Sequence, residues 1–416
     1  MRASRVWKTL LGVEHTVIGD VELEADGRGG WVVVVSVRAT RRQGCRCPVC
    51  RARCPGYDRG EGPARWRGLD LGTTKVYLEA RPGRVRCPVH GVITAWVPWA
   101  RHDARFTLAF EDQVAWMTAH MSASTVGEVM RVSWRTVGVI TARVVAQARG
   151  KVDRLTGLRR IGIDEKSYRK GHKYLMIVVD HATGRVVWAR EGRNKQIVGE
   201  FFADLGQQRA TALTHVSCDG ATWIHDVVTE AAPKAVVCLD PFHVVAWATE
   251  AIDEVRRRIV RDLKAAGRTE DATALKGSRW AVLKNPERLT GAQRTTLASV
   301  KQTNGPLYRA YLIKEQLRAV FAVKGPRGRA LLAGVISWAS RSRIPEMVEL
   351  SRTLRRFRDL IANTLDSGVT NALAEATNTH IQALITRARG YHTPEALIAM
   401  IELTRGGLCP DLPGRP

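Results

Sequence analysis

Apolar and polar positions in the middle of the chain predict a small β-sheet. A short apolar run that carries an acid predicts a strand at 160–166, and a basic turn at Lys170-Gly171 separates it from a β-branched return strand at 173–180. The same reasoning predicts further strands at 184–190, 213–218 and 235–239, with helices at 195–205 and 221–230. Three antiparallel strands are thus followed by alternating helices and strands.

The region before this sheet is typical of helices. Residues 107–148 have a helical pattern, and Ser133 stands directly before an apolar-periodic run, where an N-cap is expected. Two short helices with a tight turn around Arg131-Val132 predict a helix-turn-helix, a pattern that many small helical bundles share. The residues that would begin its recognition helix and face the major groove of DNA are Trp134, Arg135 and Thr136.

Two other segments have distinct patterns. Residues 16–38 predict a β-hairpin, because 17–23 alternate, a glycine-rich turn follows at 26–30, and 31–35 are a continuous apolar run. Residues 244–365 are charged and helical in pattern, without a strand signal. We therefore expect a long α-helical insertion between the sheet and the last helices of the chain.

Composition points to a globular protein with a polyanionic partner. The 416 residues are 45% hydrophobic with only 16 prolines, and 65 Lys and Arg face 40 Asp and Glu, a net charge of +25. Genome base content can explain the abundance of arginine, but it does not explain the excess of basic over acidic residues. Nucleic acid is the favoured partner, and an anionic membrane is less suitable because no basic amphipathic helix stands out. Neither a signal peptide nor an apolar run of about 18 residues is visible, so we expect a cytoplasmic, nucleoid-associated protein.

Five of the eight cysteines lie between Cys45 and Cys87, within the segment from Arg38 to Arg105, which has a net charge of +10. Two paired-ligand turns, each with a proline after its first ligand, are typical of a tetrahedral zinc ribbon. Cys45 and Cys54 flank the first turn and offer alternative ligands. The predicted zinc ion either only stabilises a small fold, or it belongs to a domain that contacts DNA directly. The predicted Zn²⁺ ligands are Cys47, Cys50, Cys87 and His90.

Three acids are candidate ligands of a divalent metal. Asp164 lies on a predicted buried strand, and Asp219 follows another strand and precedes glycine. Glu375 lies on one face of a segment with strong helix propensity. A buried carboxylate is costly to desolvate and usually has a partner or a metal. Oxygen ligands suit Mg²⁺ (or Mn²⁺), and we expect the three acids to converge around it.

Each acid also has a simpler interpretation. Asp164 could be an ion-paired strand acid with Glu165 as the ligand, Asp219 could be a turn or cap residue, and Glu375 could lie on a solvated face. Asp240 and His243 are better explained as a helix cap and a packed histidine, with support of the metal ligands as the alternative. No P-loop or dinucleotide fingerprint occurs, so no nucleotide cofactor is expected.

The chain resembles the DDE-type transposases of bacterial insertion sequences, specifically the ISL-three family, over nearly its whole length. The residues that carry the resemblance are the paired Cys knuckles, Arg67-Gly68-Leu69-Asp70-Leu71, Ile161 to Glu165, Asp219-Gly220, Leu239 to Val245, Asn371 to Asn378, and Arg387 to Tyr391. The Asp-x-Phe-His element at 240–243 and the Asn-x-x-x-Glu-x-x-Asn helix at 371–378 are the most diagnostic. His90 stands where a cysteine is usual, which preserves a zinc donor.

The resemblance implies a multidomain α+β fold. Its expected parts are an N-terminal β and zinc-ribbon DNA-binding domain (1–105), a helix-turn-helix bundle (106–150), a ribonuclease-H-like α/β catalytic domain (151–245), an α-helical insertion (246–365) and catalytic C-terminal helices (366–416). It also implies that Asp164, Asp219 and Glu375 form a catalytic triad. Asn378, Arg387 and Arg389 are expected to touch DNA phosphates, although exposed arginines are often simply solvated.

The expected function is that of a transposase that binds the terminal inverted repeats of its element as double-stranded DNA. It would cleave them and join them to target DNA with two Mg²⁺ ions. Concerted cleavage of two ends favours a homodimer on DNA. The alternatives are a non-catalytic zinc and helix-turn-helix regulator, which leaves about 250 residues without a purpose, and a ribonuclease-H-like nuclease, which needs no sequence-specific reader.

Overall fold

The computed structural model describes residues 3–27 and 29–415, so residue 28 of the predicted turn lies outside the described part. The contacts within the chain define two units, Met1–Val152 with Arg387–Pro416, and Asp153–Thr386. Each unit has its own hydrophobic core. The predicted C-terminal segment at 366–416 is therefore divided between the two units.

The first unit begins with a helix and two small sheets. A four-stranded sheet has the order β1-β2-β5-β4, and a three-stranded antiparallel sheet has the order β3-β6-β7. The predicted hairpin at 16–38 corresponds to β1 and β2, which pair antiparallel. The elements are α1 (Ala3–Leu10), β1 (Thr16–Ala25), β2 (Trp31–Ala39), β3 (Gly56–Asp58), β4 (Ala64–Arg67), β5 (Lys75–Ala80), β6 (Arg84–Cys87) and β7 (Gly91–Thr94).

Three helices follow the small sheets and form the predicted helix-turn-helix bundle. They are α2 (Leu108–His120), α3 (Ala123–Met130) and α4 (Trp134–Arg149). Each helix begins after a hydroxyl residue whose side chain accepts a hydrogen bond from the third backbone N–H of the helix. These N-caps are Thr107, Ser122 and Ser133.

The second unit is built on a five-stranded mixed sheet with the order β10-β9-β8-β11-β12. The strands β10, β9 and β8 are antiparallel neighbours, whereas β11 runs parallel to both β8 and β12. This topology is that of the ribonuclease-H-like fold predicted from the element order. The elements are β8 (Arg160–Arg169), β9 (Lys173–Asp180), β10 (Val186–Glu191), α5 (Lys195–Leu205), α6 (Gln207–Ala210), β11 (His215–Cys218), α7 (Thr222–Ala231) and β12 (Val236–Leu239).

The predicted helical insertion forms a core of its own, continuous with the end of β12. This core contains buried side chains from Leu239 through Leu365. Its elements are α8 (Pro241–Ala265), α9 (Thr269–Gly277), α10 (Arg279–Leu283), a 3₁₀ turn at Pro286–Arg288, α11 (Gly291–Thr303), α12 (Gly305–Val320), α13 (Gly325–Ser340), α14 (Pro345–Arg356) and α15 (Arg358–Ser367). Helix α8 begins directly after the sheet and continues past the predicted boundary at 245/246.

The last helix of the insertion covers the edge of the sheet. Asn363 Nδ2 and Thr364 Oγ1 on α15 donate hydrogen bonds to the carbonyl oxygens of Val237 and Leu239 on β12, each at 2.8 Å. An uncovered edge strand would present unpaired backbone groups. The insertion thus covers the β12 edge of the sheet. The chain then continues into the helix that carries Glu375, α16 (Ala372–Arg387).

The last helix of the described residues is α17 (Pro394–Arg405), which belongs to the first unit and packs against α2 and α4. Its buried side chains include Leu397, Met400, Ile401 and Leu403. Helix α17, which comes from the far end of the sequence, therefore packs as a fourth helix of the helix-turn-helix bundle. No helix in the described ranges has the length and apolar character needed to cross a membrane.

Candidate active site and DNA-binding surfaces

Two of the three predicted acids lie at the same level of the central sheet. Gly162 on β8 pairs with Ser217 on β11 in parallel register, and each acid comes two residues later. Asp164 therefore lies on β8 and is 7% exposed, whereas Asp219 follows the end of β11 and is half-buried. Because neighbouring parallel strands end at one edge of a sheet, their acids are brought side by side.

The third acid is brought to the sheet by the start of α16. Asn371 is fully buried, and its Oδ1 accepts a hydrogen bond of 2.9 Å from Ser217 Oγ. A Cβ atom on Gly162 would lie 2.7 Å from the same Oδ1, so only glycine lets the helix approach this closely. The side chain of His181 extends the network, with Nε2 2.9 Å from Ser217 Oγ.

The spacing of the Asn-x-x-x-Glu-x-x-Asn motif now has a structural explanation. Positions four and seven residues after Asn371 lie on the same face of a helix. This face contains Glu375 and Asn378, and Asn378 Nδ2 donates a hydrogen bond of 2.8 Å to Asp164 Oδ2. Asn378, predicted as a phosphate contact, thus holds a carboxylate of the candidate triad.

Two more acids accompany the triad. Asp240 follows β12, is 2% exposed and makes no N-cap hydrogen bond to α8; its Oδ2 is instead 2.9 Å from His243 Nδ1. Asp240 also acts on Glu375, because burial and the charge of Asp240 both raise the pKa of the Glu375 carboxyl. Glu165 forms an ion pair with Arg193, whose guanidinium lies 4.9 Å from the ring centroid of Tyr174.

Burial and mutual repulsion make these carboxyl groups hold protons strongly. Burial and the charges of Asp219 and Asp240 raise the pKa of Asp164 to about 6, although the hydrogen bond from the backbone N–H of Glu165 lowers it. Burial also raises the pKa of Glu375 to about 7, and Asp240 adds to this effect. The pKa of His243 is raised, chiefly by its hydrogen bond to Asp240. The site therefore concentrates negative charge with too few cations to balance it.

The donor set fits a divalent cation of the Mg²⁺ type. Glu375 Oε1, Glu165 Oε1 and Asn378 Oδ1 are buried oxygen atoms without a hydrogen-bond donor. Hard oxygen ligands are those that Mg²⁺ prefers. Among the described residues, no three of these carboxylates have ligand atoms within 4.8 Å of one another.

The predicted zinc ligands converge. Ligand atoms of Cys47, Cys50, Cys87 and His90 all lie within 4.8 Å of one another. The Cys50–Cys87 Sγ separation is 3.7 Å, and His90 Nδ1 lies 3.6 Å from Cys47 Sγ and 3.5 Å from Cys87 Sγ. Tetrahedral Zn²⁺ with ordinary bond lengths requires about 3.8 Å between sulfurs and about 3.6 Å between sulfur and nitrogen. The cluster thus has the dimensions of a zinc site.

The neighbouring cysteines lie outside this cluster. Cys54 is buried, and its Sγ donates to the carbonyl oxygen of Ala52 at 3.4 Å. Cys45 is exposed. Although burial raises the pKa of the Cys87 thiol, hydrogen bonds from His90 and Val89 lower it to about 6, which favours the thiolate that binds zinc.

The predicted recognition helix presents its first residues to solvent. Trp134 is 50% exposed and Arg135 is exposed, whereas Val137 and Ile140 are fully buried. The Arg135 guanidinium lies 5.3 Å from the Trp134 ring centroid. Thr136 is half-buried, and its backbone N–H donates to the Ser133 cap.

The Arg67–Leu71 motif is attached to the helix-turn-helix. Asp70 forms ion pairs with Arg67 and with Arg131, the residue that ends α3 in a left-handed conformation. Arg131 Nη1 also donates to the carbonyl oxygen of Thr73 at 2.9 Å. Asp70 thus fixes the turn between α3 and α4 to the N-terminal β-structure, a role that sequence reasoning did not assign.

The two arginines predicted to contact DNA at and after the end of α16 differ in their surroundings. Arg387 donates to the carbonyl oxygens of Thr118 and Ala119 at 3.1 and 3.2 Å. These carbonyls end α2 and lack partners within the helix, so Arg387 acts as its C-terminal cap. Arg389 is exposed.

Comparison with known proteins gives one consistent answer. A family model for ISL3-type DDE transposases matches residues 161–401, one for the helix-turn-helix domain of transposase family ISL3 matches 97–145, and one for the zinc finger of the IS204/IS1001/IS1096/IS1165 transposases matches 43–90. The transposase for insertion sequence element IS1557 of Mycobacterium tuberculosis is 49% identical over 436 residues, which cover 100% of this chain and 98% of the relative. The transposase for IS1001 of Bordetella parapertussis is 26% identical over 356 residues, which cover 84% of this chain and 86% of the relative.

Proposed function

Because this chain belongs to the ISL3 family of DDE transposases and is a DNA-binding enzyme with a zinc ribbon, we propose that Asp164, Asp219 and Glu375 are its catalytic acids. The observation that carries this proposal is that Asp164 and Asp219 lie side by side at one sheet edge, and that Asn378, on the helix that carries Glu375, donates a hydrogen bond to Asp164. The substrates are the terminal inverted repeats of its element and a target duplex.

The three acids would together hold the divalent metal of a DDE enzyme. Mg²⁺ bound there supplies the positive charge that activates the attacking oxygen and stabilises the leaving 3′-oxygen. The reaction is first hydrolysis at the element end, then attack of the freed 3′-hydroxyl on target DNA. Asn378 orients Asp164 through its hydrogen bond, and His243 holds Asp240, whose charge acts on Glu375. These contacts fix the ligands before DNA binds.

We assign recognition of the DNA sequence to the helix-turn-helix, and a structural role to the zinc ion. Trp134, Arg135 and Thr136 begin the recognition helix and face the major groove. Cys47, Cys50, Cys87 and His90 bind Zn²⁺ and close the small β3-β6-β7 sheet. Two ends must be cut in concert, so the active species is a homodimer on DNA.

The decisive experiment combines metal dependence with substitution of the triad. Purified protein is incubated with a labelled duplex of the DNA flanking its gene, with Mg²⁺ or without, and with Asp164→Ala, Asp219→Ala or Glu375→Ala. Each variant is expected to lose at least about a hundred-fold in nicking rate, the scale of one lost electrostatic contact to a transition state. Glu230→Ala is the matched control, because Glu230 is an exposed carboxylate on α7 of the same unit.

The outcomes separate the assignments. Nicking at the element end that survives Glu375→Ala would move the third ligand to another acid, Asp240 first. Tight binding without cleavage in Mg²⁺ or Mn²⁺ would identify this copy as a DNA-binding regulator. Cleavage of any duplex irrespective of sequence would identify a nuclease.

A further inference from the structure

The C-terminal helix lies along the recognition helix and runs in the same direction. Near their C-terminal ends, Arg149 Nε donates to Glu402 Oε2 at 3.1 Å, and Glu402 is only 3% exposed. At their N-terminal ends, the rings of Trp134 and His392 stack, with centroids 6.3 Å apart and planes 25° apart. Both α4 and α17 therefore begin at one end of the first unit.

The segment before α17 is fixed at its base and exposed at its tip. Arg387 is bound to the end of α2, and Thr393 caps α17 by accepting from the backbone N–H of Ala396 at 3.3 Å. Between them, Arg389 and His392 are exposed. The loop therefore presents a guanidinium and an imidazole without being free to move far.

The exposed groups at this end suit a polyanion. Arg135, Arg389 and His392 lie on the same end as the N-termini of two helices, where backbone N–H groups point outward and carry partial positive charge. The exposed acid on this end of α17 is Glu395 in its first turn. The Trp134 ring contacts both the Arg135 guanidinium and the His392 ring, so the loop and the recognition helix form one continuous surface.

We propose that residues 388–393 form a second DNA-contacting element, which binds backbone phosphates next to the bases faced by Trp134 and Arg135. Arg389 supplies the phosphate contact, and His392 positions the Trp134 ring. The partner is the same duplex end that the recognition helix reads, so this inference rests on the proposed role of that helix. It assigns DNA binding to residues outside the matched helix-turn-helix region, 97–145.

The test measures binding to a fluorescent duplex of the gene's flanking DNA over a range of salt concentrations. Arg389→Gly is expected to weaken binding about ten-fold at low salt and to reduce the salt slope by about 1, as expected for one lost phosphate contact. Arg389 adopts a left-handed φ of 55°, which glycine accepts, so the folded state should keep its melting temperature. His392→Ala is expected to weaken binding without a change of slope, and His392→Phe is expected to restore it through the ring.

The control variants make failure interpretable. Arg405→Ala removes an exposed cation from the other end of α17 and should leave affinity and slope unchanged. Full affinity in both Arg389→Gly and His392→Ala, with Arg135→Ala impaired, would overturn this inference and leave the recognition helix in place. Full affinity in Arg135→Ala would instead overturn the proposed role of the recognition helix.

Discussion

At the scale of single residues, the candidate active site is a set of carboxylates held by amides and hydroxyls. Asn378 donates to Asp164, and Asn371 accepts from Ser217. Glu165 has an arginine partner, whereas Asp164 has none among its hydrogen bonds. The acid at the centre of the sheet is thus oriented without being neutralised, which keeps its charge available for metal.

A pH dependence follows from the raised pKa of Asp164. Between about pH 4 and pH 6 the folded, magnesium-free protein retains a proton that the unfolded chain releases. The stability from this group is fully present below pH 4 and is lost as pH rises to 6, by up to about 3 kcal/mol for a shift of about two units. Urea denaturation should therefore show wild type losing stability relative to Asp164→Asn over this window.

Magnesium should change this profile in a defined direction. The cation binds the deprotonated carboxylates, so its stabilising effect on wild type should grow from pH 4 to pH 7. Parallel stability curves for wild type and Asp164→Asn, with and without Mg²⁺, would contradict both the raised pKa and the metal assignment.

At the scale of elements, the turn between α3 and α4 sets the geometry of the recognition helix. Gly127 is buried on α3, and a Cβ there would lie 2.7 Å from the carbonyl oxygen of Val132. Arg131 adopts a φ of 54° and is bound to Asp70. Helices α3 and α4 approach closely because Gly127 of α3 has no side chain at this point.

Two glycines of these helices give opposite predictions. Gly127→Ala should destabilise the first unit and weaken DNA binding, since the new methyl group meets a backbone atom. Gly138→Glu should preserve or slightly raise stability, by about 0.5–1 kcal/mol for a glycine replaced within a helix. A Cβ at Gly138 has no neighbour within 4 Å, and the position is exposed one turn after Trp134 and Arg135.

The second variant should nevertheless bind DNA poorly, because a carboxylate would face phosphates. Thermal denaturation and duplex binding measured on the same samples distinguish the two effects. A Gly138→Glu protein that binds as tightly as wild type would place another face of α4 against DNA.

At the scale of the whole molecule, the first unit is assembled from both ends of the chain. Helix α17 contributes four large apolar side chains that are at most 6% exposed: Leu397, Met400, Ile401 and Leu403. At roughly 1.5–3 kcal/mol each, their burial stabilises by an amount on the order of 10 kcal/mol. That is comparable with the net stability of a whole domain.

The helix-turn-helix should therefore depend on the C-terminus. Ile401→Ala is expected to cost about 2–5 kcal/mol in the unfolding of the first unit, as for other large core truncations. Loss of duplex binding at a lower urea concentration than in wild type is the readout, with Arg405→Ala as the surface control. Equal midpoints for the two variants would show that α17 is not a structural part of the DNA-binding unit.

Local signals in the sequence determined most elements and the chemistry of the sites. Two apolar runs on either side of the basic turn at Lys170-Gly171 predicted the β8–β9 hairpin, and Ser133 marked the start of α4. Strand order then predicted the ribonuclease-H-like sheet, which the structure confirms. Ligand type and spacing predicted zinc, because paired ligands on tight turns converge whatever the rest of the fold does. The net charge of +25 indicated the DNA partner.

Tertiary structure decided which residues support these sites and which ends of the chain meet. The Ser217–Asn371 hydrogen bond joins residues 154 positions apart, and the Arg149–Glu402 pair joins residues 253 apart. Helical and strand periodicity records only which face of an element is apolar, not which distant element covers it. The second unit lies between the two parts of the first unit in sequence, so only packing could reveal that α17 completes the helix-turn-helix.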